Sequence, residues 1–137
     1  MRAMFQNTNR KLNTAPFSAL YDGHMTPKEP VVRISRGAFA PERYDAVRKL
    51  IEDSAVPLVP ALQNLAGLLY YHAAVDPVTS TVVNVSVWES VEAAKQMDTL
   101  QSMLAQRPIL EAAGVKFDKI ANYEPAWKIE AVWSSRG

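Results

Sequence analysis

The sequence predicts a single α+β domain of ferredoxin-like topology, a β-α-β-β-α-β sandwich. Three observations point there. Short runs rich in β-branched residues alternate with two segments whose apolar residues recur at three- and four-residue spacing. The two middle runs, 68–75 and 80–88, are separated by Asp76-Pro77-Val78-Thr79, a turn in which aspartate caps its own backbone and proline fixes φ. The two halves also echo each other. Each reads strand, amphipathic helix, proline turn, Ala-Gly stop (Ala66-Gly67 and Ala113-Gly114) and strand, as a split βαβ unit requires.

The elements follow in order. Residues 1–29 form an irregular polar arm rich in Asn, Thr and Pro, ahead of a domain at 30–133 and a tail at 134–137. Val31-Val32-Arg33-Ile34-Ser35-Arg36 is the first strand. Ala40-Pro41-Glu42 opens the first helix, with proline in the first turn and acids near its positive end. Tyr44, Val47, Leu50, Ile51 and Ala55 give that helix an apolar face, and Pro57 and Pro60 are expected to break it. Ser90 is an N-cap for a second helix carrying Val91, Ala94, Met97, Leu100, Met103 and Leu104. Pro108 is expected to start a separate short turn, followed by a fourth strand at 115–121 and an extended piece at 125–133.

Composition narrows the functional classes. A chain of 137 residues with 48% hydrophobic and 21% charged residues suits one globular domain. Net charge is only +1, which argues against nucleic acid as the main partner. With no cysteine, disulfides, thiolate nucleophiles and Cys-based zinc sites are all excluded. The two histidines, His24 and His72, lie too far apart in sequence for a metal motif, so no metal and no cofactor is expected. No apolar run reaches the ~20 residues of a membrane span, and the N-terminus lacks a secretory apolar block. The expected location is the cytoplasm.

Both helices of such a fold cover one sheet face, so the other must meet water or a partner. In the third strand Thr81, Val83, Val85 and Val87 share one face, and Val82, Asn84, Ser86 and Trp88 share the other. In the second, Leu69, Tyr71, Ala73 and Val75 oppose Leu68, Tyr70, His72 and Ala74. None of these faces is charged, whereas a sheet wet on one side alternates apolar with polar residues. Two-sided burial predicts a homodimer, with the valines turned to a second copy.

The mixed face carries the candidate site. Asn84, Ser86 and Trp88 project together, and an amide, a hydroxyl and an indole on one wall suit a flat, oxygen-bearing aromatic ligand. His72 joins them if the hairpin register sets it opposite Asn84. Tyr70 is a further ligand contact, with Tyr44 and Met97 as roof residues. Each has a plainer reading: Trp88 as core, Asn84 as partner to a buried backbone group, His72 as a hydrogen-bonded core histidine. Arg33 and Arg36 either bind a carboxylate or keep an edge strand soluble. Glu42, Glu52 and Asp53 read as solvated charges, and Trp127 and Trp133 as packing across the sheet or a dimer seam.

On strand order and the segment Val82-Val83-Asn84-Val85-Ser86-Val87-Trp88-Glu89-Ser90, residues 31–129 resemble the dimeric α/β-barrel superfamily, especially the antibiotic-biosynthesis monooxygenase-like domains. That resemblance implies cofactor-independent oxygenation of anthrones or quinols, or haem degradation. Asn84 and Trp88 match the Asn-x-x-x-Trp pair that some oxygenases place in the pocket, while the tyrosine expected six residues past the tryptophan is Ala94 here. Haem-degrading members carry a ligand histidine in the following helix, and residues 91–104 contain none. The resemblance thus implies Asn84 as oxyanion donor, Trp88 as stacking wall and His72 as proton acceptor. The alternative is a non-catalytic dimer of the same fold that binds a small molecule or simply assembles.

Overall fold

The computed structural model describes residues 29–129. Five strands form one antiparallel sheet: β1 (Val31–Ala38), β2 (Leu68–Asp76), β3 (Thr81–Trp88), β4 (Lys116–Phe117) and β5 (Ala121–Tyr123). The order is β2-β3-β1-β4, with β5 also paired to β1. This is the ferredoxin-like α+β arrangement expected from the sequence, with β1 in the sheet interior. The fourth strand is shorter than expected: it splits into β4 and β5, both paired to β1. Residues 124–129 form no strand. The arm at 1–28, Trp133 and the tail lie outside the described residues.

The helices correct two expectations about proline. A 3-10 turn, Pro41–Arg43, leads into α1 (Tyr44–Gln63), which runs unbroken through Pro57 and Pro60. Each proline removes one backbone donor and disfavours the helix by ~3 kcal/mol relative to alanine. Buried Leu58 and Leu62 flank Pro60 and tie this half of α1 to the sheet, which offsets that cost. Pro108 likewise sits inside a helix, α3 (Gln101–Ala112), rather than starting a turn. The second expected helix is in fact interrupted. Ser90 caps α2 (Val91–Ala94) through its hydroxyl and the Ala93 amide at 3.1 Å, a 3-10 turn spans Lys95–Asp98, and α3 follows. Both Ala-Gly stops hold: Gly67 (φ +79°) and Gly114 (φ +100°) take the left-handed conformation that ends a helical segment.

Register decides which side chains meet. Across β1 and β3, Val31 pairs with Trp88, Arg33 with Ser86, Ser35 with Asn84 and Gly37 with Val82. From β2, Leu68, Tyr71, Ala73 and Val75 extend the same four rungs. A bulge between Leu68 and Tyr70 shifts the alternation, so Leu68 lies with Tyr71 and not with Tyr70. The end rungs are apolar and anchor two core clusters. Val31 and Trp88 pack with Leu58, Leu62, Ala94 and Met97, while Val82 packs with Phe39, Val47, Leu110 and Val115. The two middle rungs are polar.

Outside the site, Glu42 is exposed in the 3-10 turn, and the other two predicted solvated acids are paired along α1, Lys49 with Asp53 at 2.9 Å and Arg48 with Glu52 at 3.0 Å. Such exposed i,i+4 pairs add only ~0.3–0.5 kcal/mol each. Close approach matters more at Gly37. A Cβ there would stand 2.6 Å from Val115 Cγ1 and 3.0 Å from Phe117 Cδ1, so β1 can lie under β4 only without a side chain. Gly37→Ala should therefore destabilise by about 1–3 kcal/mol through overpacking. The check is the urea midpoint, which should fall with the slope unchanged.

Candidate functional site

A cavity of about 210 Å³ sits over the two polar rungs, between sheet and helices. Arg33, Ser35, Asn84, Ser86 and Tyr71 line it from the sheet, and Met97, Asp98, Met103, Leu104, Gln106, Arg107 and Leu110 from the helical side. Phe117 and Ile120 complete the wall. Its position follows from the register. Where the facing row is apolar the helices pack down onto it, and where the row turns polar they leave space.

The polar strip is rich in donors. Asn84 and Tyr71 make no side-chain hydrogen bond to another described residue. Arg33 donates from Nη2 to Asp98 Oδ1 at 2.9 Å, and its side chain is 10% exposed against 58% for Asp98. Burial pushes the Tyr71 hydroxyl up to about 12, with the Arg33 guanidinium acting in the opposite direction. At neutral pH this phenol keeps its proton and serves as a hydrogen-bond donor. Arg107, the other cation of the wall, is engaged elsewhere. Its Nε donates to Glu111 at 2.8 Å, and its guanidinium lies 5.2 Å from the Phe117 ring centroid.

Of the residues singled out from the sequence, Asn84, Ser86 and Met97 meet at this cavity. Trp88 does not line it. Its indole is fully buried in the first core cluster, and Nε1 donates to Ser86 Oγ at 2.8 Å. Tyr44 also lies elsewhere: it packs against the second cluster, and its hydroxyl accepts from Arg48 at 2.9 Å.

His72 and Tyr70 lie on the opposite face. The register sets Ala73, not His72, opposite Asn84, so His72 faces Val85 and Tyr70 faces Val87. The two instead contact each other, with the tyrosine hydroxyl 2.8 Å from His72 Nε2 and ring centroids 4.6 Å apart. A one-residue difference in register is enough to exchange the faces. Tyr71 is the site residue that sequence reasoning missed, although it shares a face with Ala73 and Val75. Arg33 was recognised only as one of two readings. As part of an interior strand, with its side chain toward the cavity, it does not serve edge solubility. Arg36 is exposed, and Trp127 is 74% exposed in the single chain.

Among the described residues, no cluster of three or more His, Cys, Asp or Glu could hold a metal, and no helix is long and apolar enough to cross a membrane. The fold is that of the antibiotic-biosynthesis monooxygenase-like proteins. Similar solved structures include Rv0793 from Mycobacterium tuberculosis, at 17% identity and a TM-score of 0.57 over 74% of this chain and 100% of that one. A candidate antibiotic biosynthesis monooxygenase from Deinococcus radiodurans aligns at 19% identity and 0.58, covering 75% of this chain and 99% of its own. SnoaB, a cofactor-independent oxygenase from Streptomyces nogalater, aligns at 14% and 0.53 over 75% and 99% of the two chains. The sequence itself matches no family model and no curated protein.

The Tyr71 shift has a testable sign. Its folded value of about 12 lies above the ordinary 10.0, so the folded chain keeps a proton that the unfolded chain has released between those limits. Stability contributed by the neutral phenol is complete below pH 10 and falls as pH rises toward 12. Tyr71→Phe should flatten that alkaline decline. Urea unfolding of both proteins across this range isolates Tyr71 from other groups that titrate there.

Proposed function

We propose that this protein binds a small phenolic or quinol-type molecule in the sheet-helix cavity and oxygenates it without a cofactor. The observation that carries the reading is the strip of donors on the cavity floor, the half-buried Asn84 and Tyr71 foremost, facing methionine and leucine side chains from the helices. A ligand that closes the cavity must match these donors, since a fully buried and unmatched one costs on the order of 1–3 kcal/mol, and an oxygen-bearing ligand does so. A cavity of ~150 Å³ accepts benzene, so the space here suits a ring with substituents. Met97 and Met103 offer sulfur contacts to its faces. The likeness to SnoaB supports the choice of reaction.

In this reading the ligand loses a hydroxyl or enol proton to water at the open rim. Asn84 donates its amide N–H, and Tyr71 its hydroxyl, to the oxyanion. The electron-rich ring then passes one electron to dioxygen, and the radical pair collapses to a carbon hydroperoxide. Loss of water leaves a new carbonyl, so that a CH₂ group and O₂ give C=O and H₂O. No side-chain base is required, in keeping with the orientation of His72.

That same orientation favours a second reading, a binding protein with no reaction. Oxygen uptake with a panel of hydroquinones and anthrones, no cofactor added, separates the two. If the first reading holds, Asn84→Ala lowers kcat about hundredfold with little change in KM. Equal turnover in both proteins removes Asn84 from the mechanism, and a flat trace across the panel selects the binding reading.

The outer sheet face supports the expected homodimer. Val32, Ile34, Val83, Val85 and Val87 there are only half-buried in the single chain. Leu69 is 56% exposed, with Tyr70 and Tyr123 at 49%. A contiguous apolar face of this kind is ordinarily covered by a partner. Sedimentation should show a dimer at micromolar concentration that Val85→Asp converts to monomer. A wild-type monomer would overturn the assignment.

A further inference from the structure

We infer that Arg33 anchors an acidic substituent of the ligand, so that the cavity selects an aromatic carboxylate over the same ring lacking the acid. This rests on reading the cavity as a ligand site and names the class of ligand. The starting point is where the cation sits. Arg33 is on an interior strand, with its side chain toward the helices and nine-tenths buried, beside Ser86 and in the same rung as Tyr71.

A guanidinium has five N–H donors in a planar fork. Among the described residues Arg33 uses one, toward Asp98. Burial of a charge is expensive unless it is both paired and well hydrogen-bonded. Asp98 meets that need poorly, because its carboxylate is 58% exposed and is reached through a single bond. A ligand carboxylate entering the cavity would present two oxygens to the fork, the geometry for which arginine is best suited. The neutral Tyr71 hydroxyl, close enough to feel the Arg33 charge, supplies a further donor. Arg33 is the one buried cation of the wall, Arg107 being half-exposed and held by Glu111, and with methionine, leucine and phenylalanine around it the cavity suits a singly charged aromatic acid better than a phosphate.

In this arrangement Asp98 is a competitor. It reaches the buried guanidinium from the exposed side and is the group a ligand acid would displace. A purely structural ion pair, tying the 3-10 turn to the sheet, makes the opposite prediction for one variant. If the pair is only a strut, losing either partner loosens the site in the same direction. If Arg33 is a ligand anchor, losing Arg33 and losing Asp98 act in opposite directions on an acidic ligand.

The test is fluorescence titration of the full chain with 3-hydroxy-2-naphthoate and with 2-naphthol. Wild type should prefer the acid by about tenfold or more. Arg33→Met should abolish that preference while 2-naphthol binding persists, and Arg33→Lys, which keeps charge but loses the fork, should retain part of it. Asp98→Asn should tighten the acid several-fold and leave 2-naphthol unchanged. Because Asp98 is exposed, this variant remains informative should Arg33→Met fail to fold. Equal wild-type affinity for the two probes overturns the role of Arg33 and leaves the cavity as an aromatic site. Weakened acid binding in Asp98→Asn reduces the pair to a strut. Failure of both probes to bind wild type overturns the inference together with the ligand site itself.

Discussion

The pairing of β1 with β3 is the constraint on which the rest of the molecule depends. It lines up Val31 with Trp88 and Gly37 with Val82, and between these apolar ends it sets Arg33 beside Ser86 and Ser35 beside Asn84. Because both strands turn alternate residues to the helices, a single register creates two packed clusters and one polar interval. Hydrophobic burial at the two ends, worth ~1.5–3 kcal/mol per large side chain, can hold the layers together without help from the middle. The cavity is thus a property of the sheet before it is a property of any loop.

Trp88 shows how the ends serve the middle. Its ring fills the first cluster, and its only polar atom turns toward the site to bond Ser86. That bond fixes the serine hydroxyl as an acceptor for the indole and leaves its own proton free to be directed elsewhere. The tryptophan therefore supports the polar strip from beneath, and the aromatic group that the strip itself presents to the cavity is Tyr71. The two residues lie on neighbouring rungs of the same face.

Much of this was legible in the sequence. Period-two alternation in β3 identified Asn84 and Ser86 as partners on the helix-facing side, and the valines as the outer face. Helix caps and stops at Ser90, Gly67 and Gly114 carried their usual backbone meaning. The hairpin register was not legible. Ser80 reads as the first residue of a strand, yet it adopts φ 53° and lies in the turn, while Asp76 belongs to the strand and pairs with Thr81. Serine is not a residue whose presence announces a left-handed conformation. With the turn at 77–80, Ala73 stands opposite Asn84 and His72 lies on the outer face. The bulge at Leu69 was equally invisible, since a run of Leu68-Leu69-Tyr70-Tyr71 looks alike from either side. Helix breaks failed for a different reason. Proline lowers local helix propensity, whereas burial of Leu58, Leu62 and Leu110 is a tertiary effect that no local rule contains.

The prolines of α1 have a consequence for how the domain holds its shape. Without an amide proton, Pro57 and Pro60 leave the carbonyls of Asp53 and Val56 without their usual partners four residues on. The helix from there to Gln63 has little tendency to exist alone, and it borrows its order from the surface that Leu58 and Leu62 touch. This end of the helix and the Val31–Trp88 rung are therefore mutually dependent: loss of either loosens the other. Order in this part of the domain is shared, and a disturbance at the strand would be felt along the helix as unwinding.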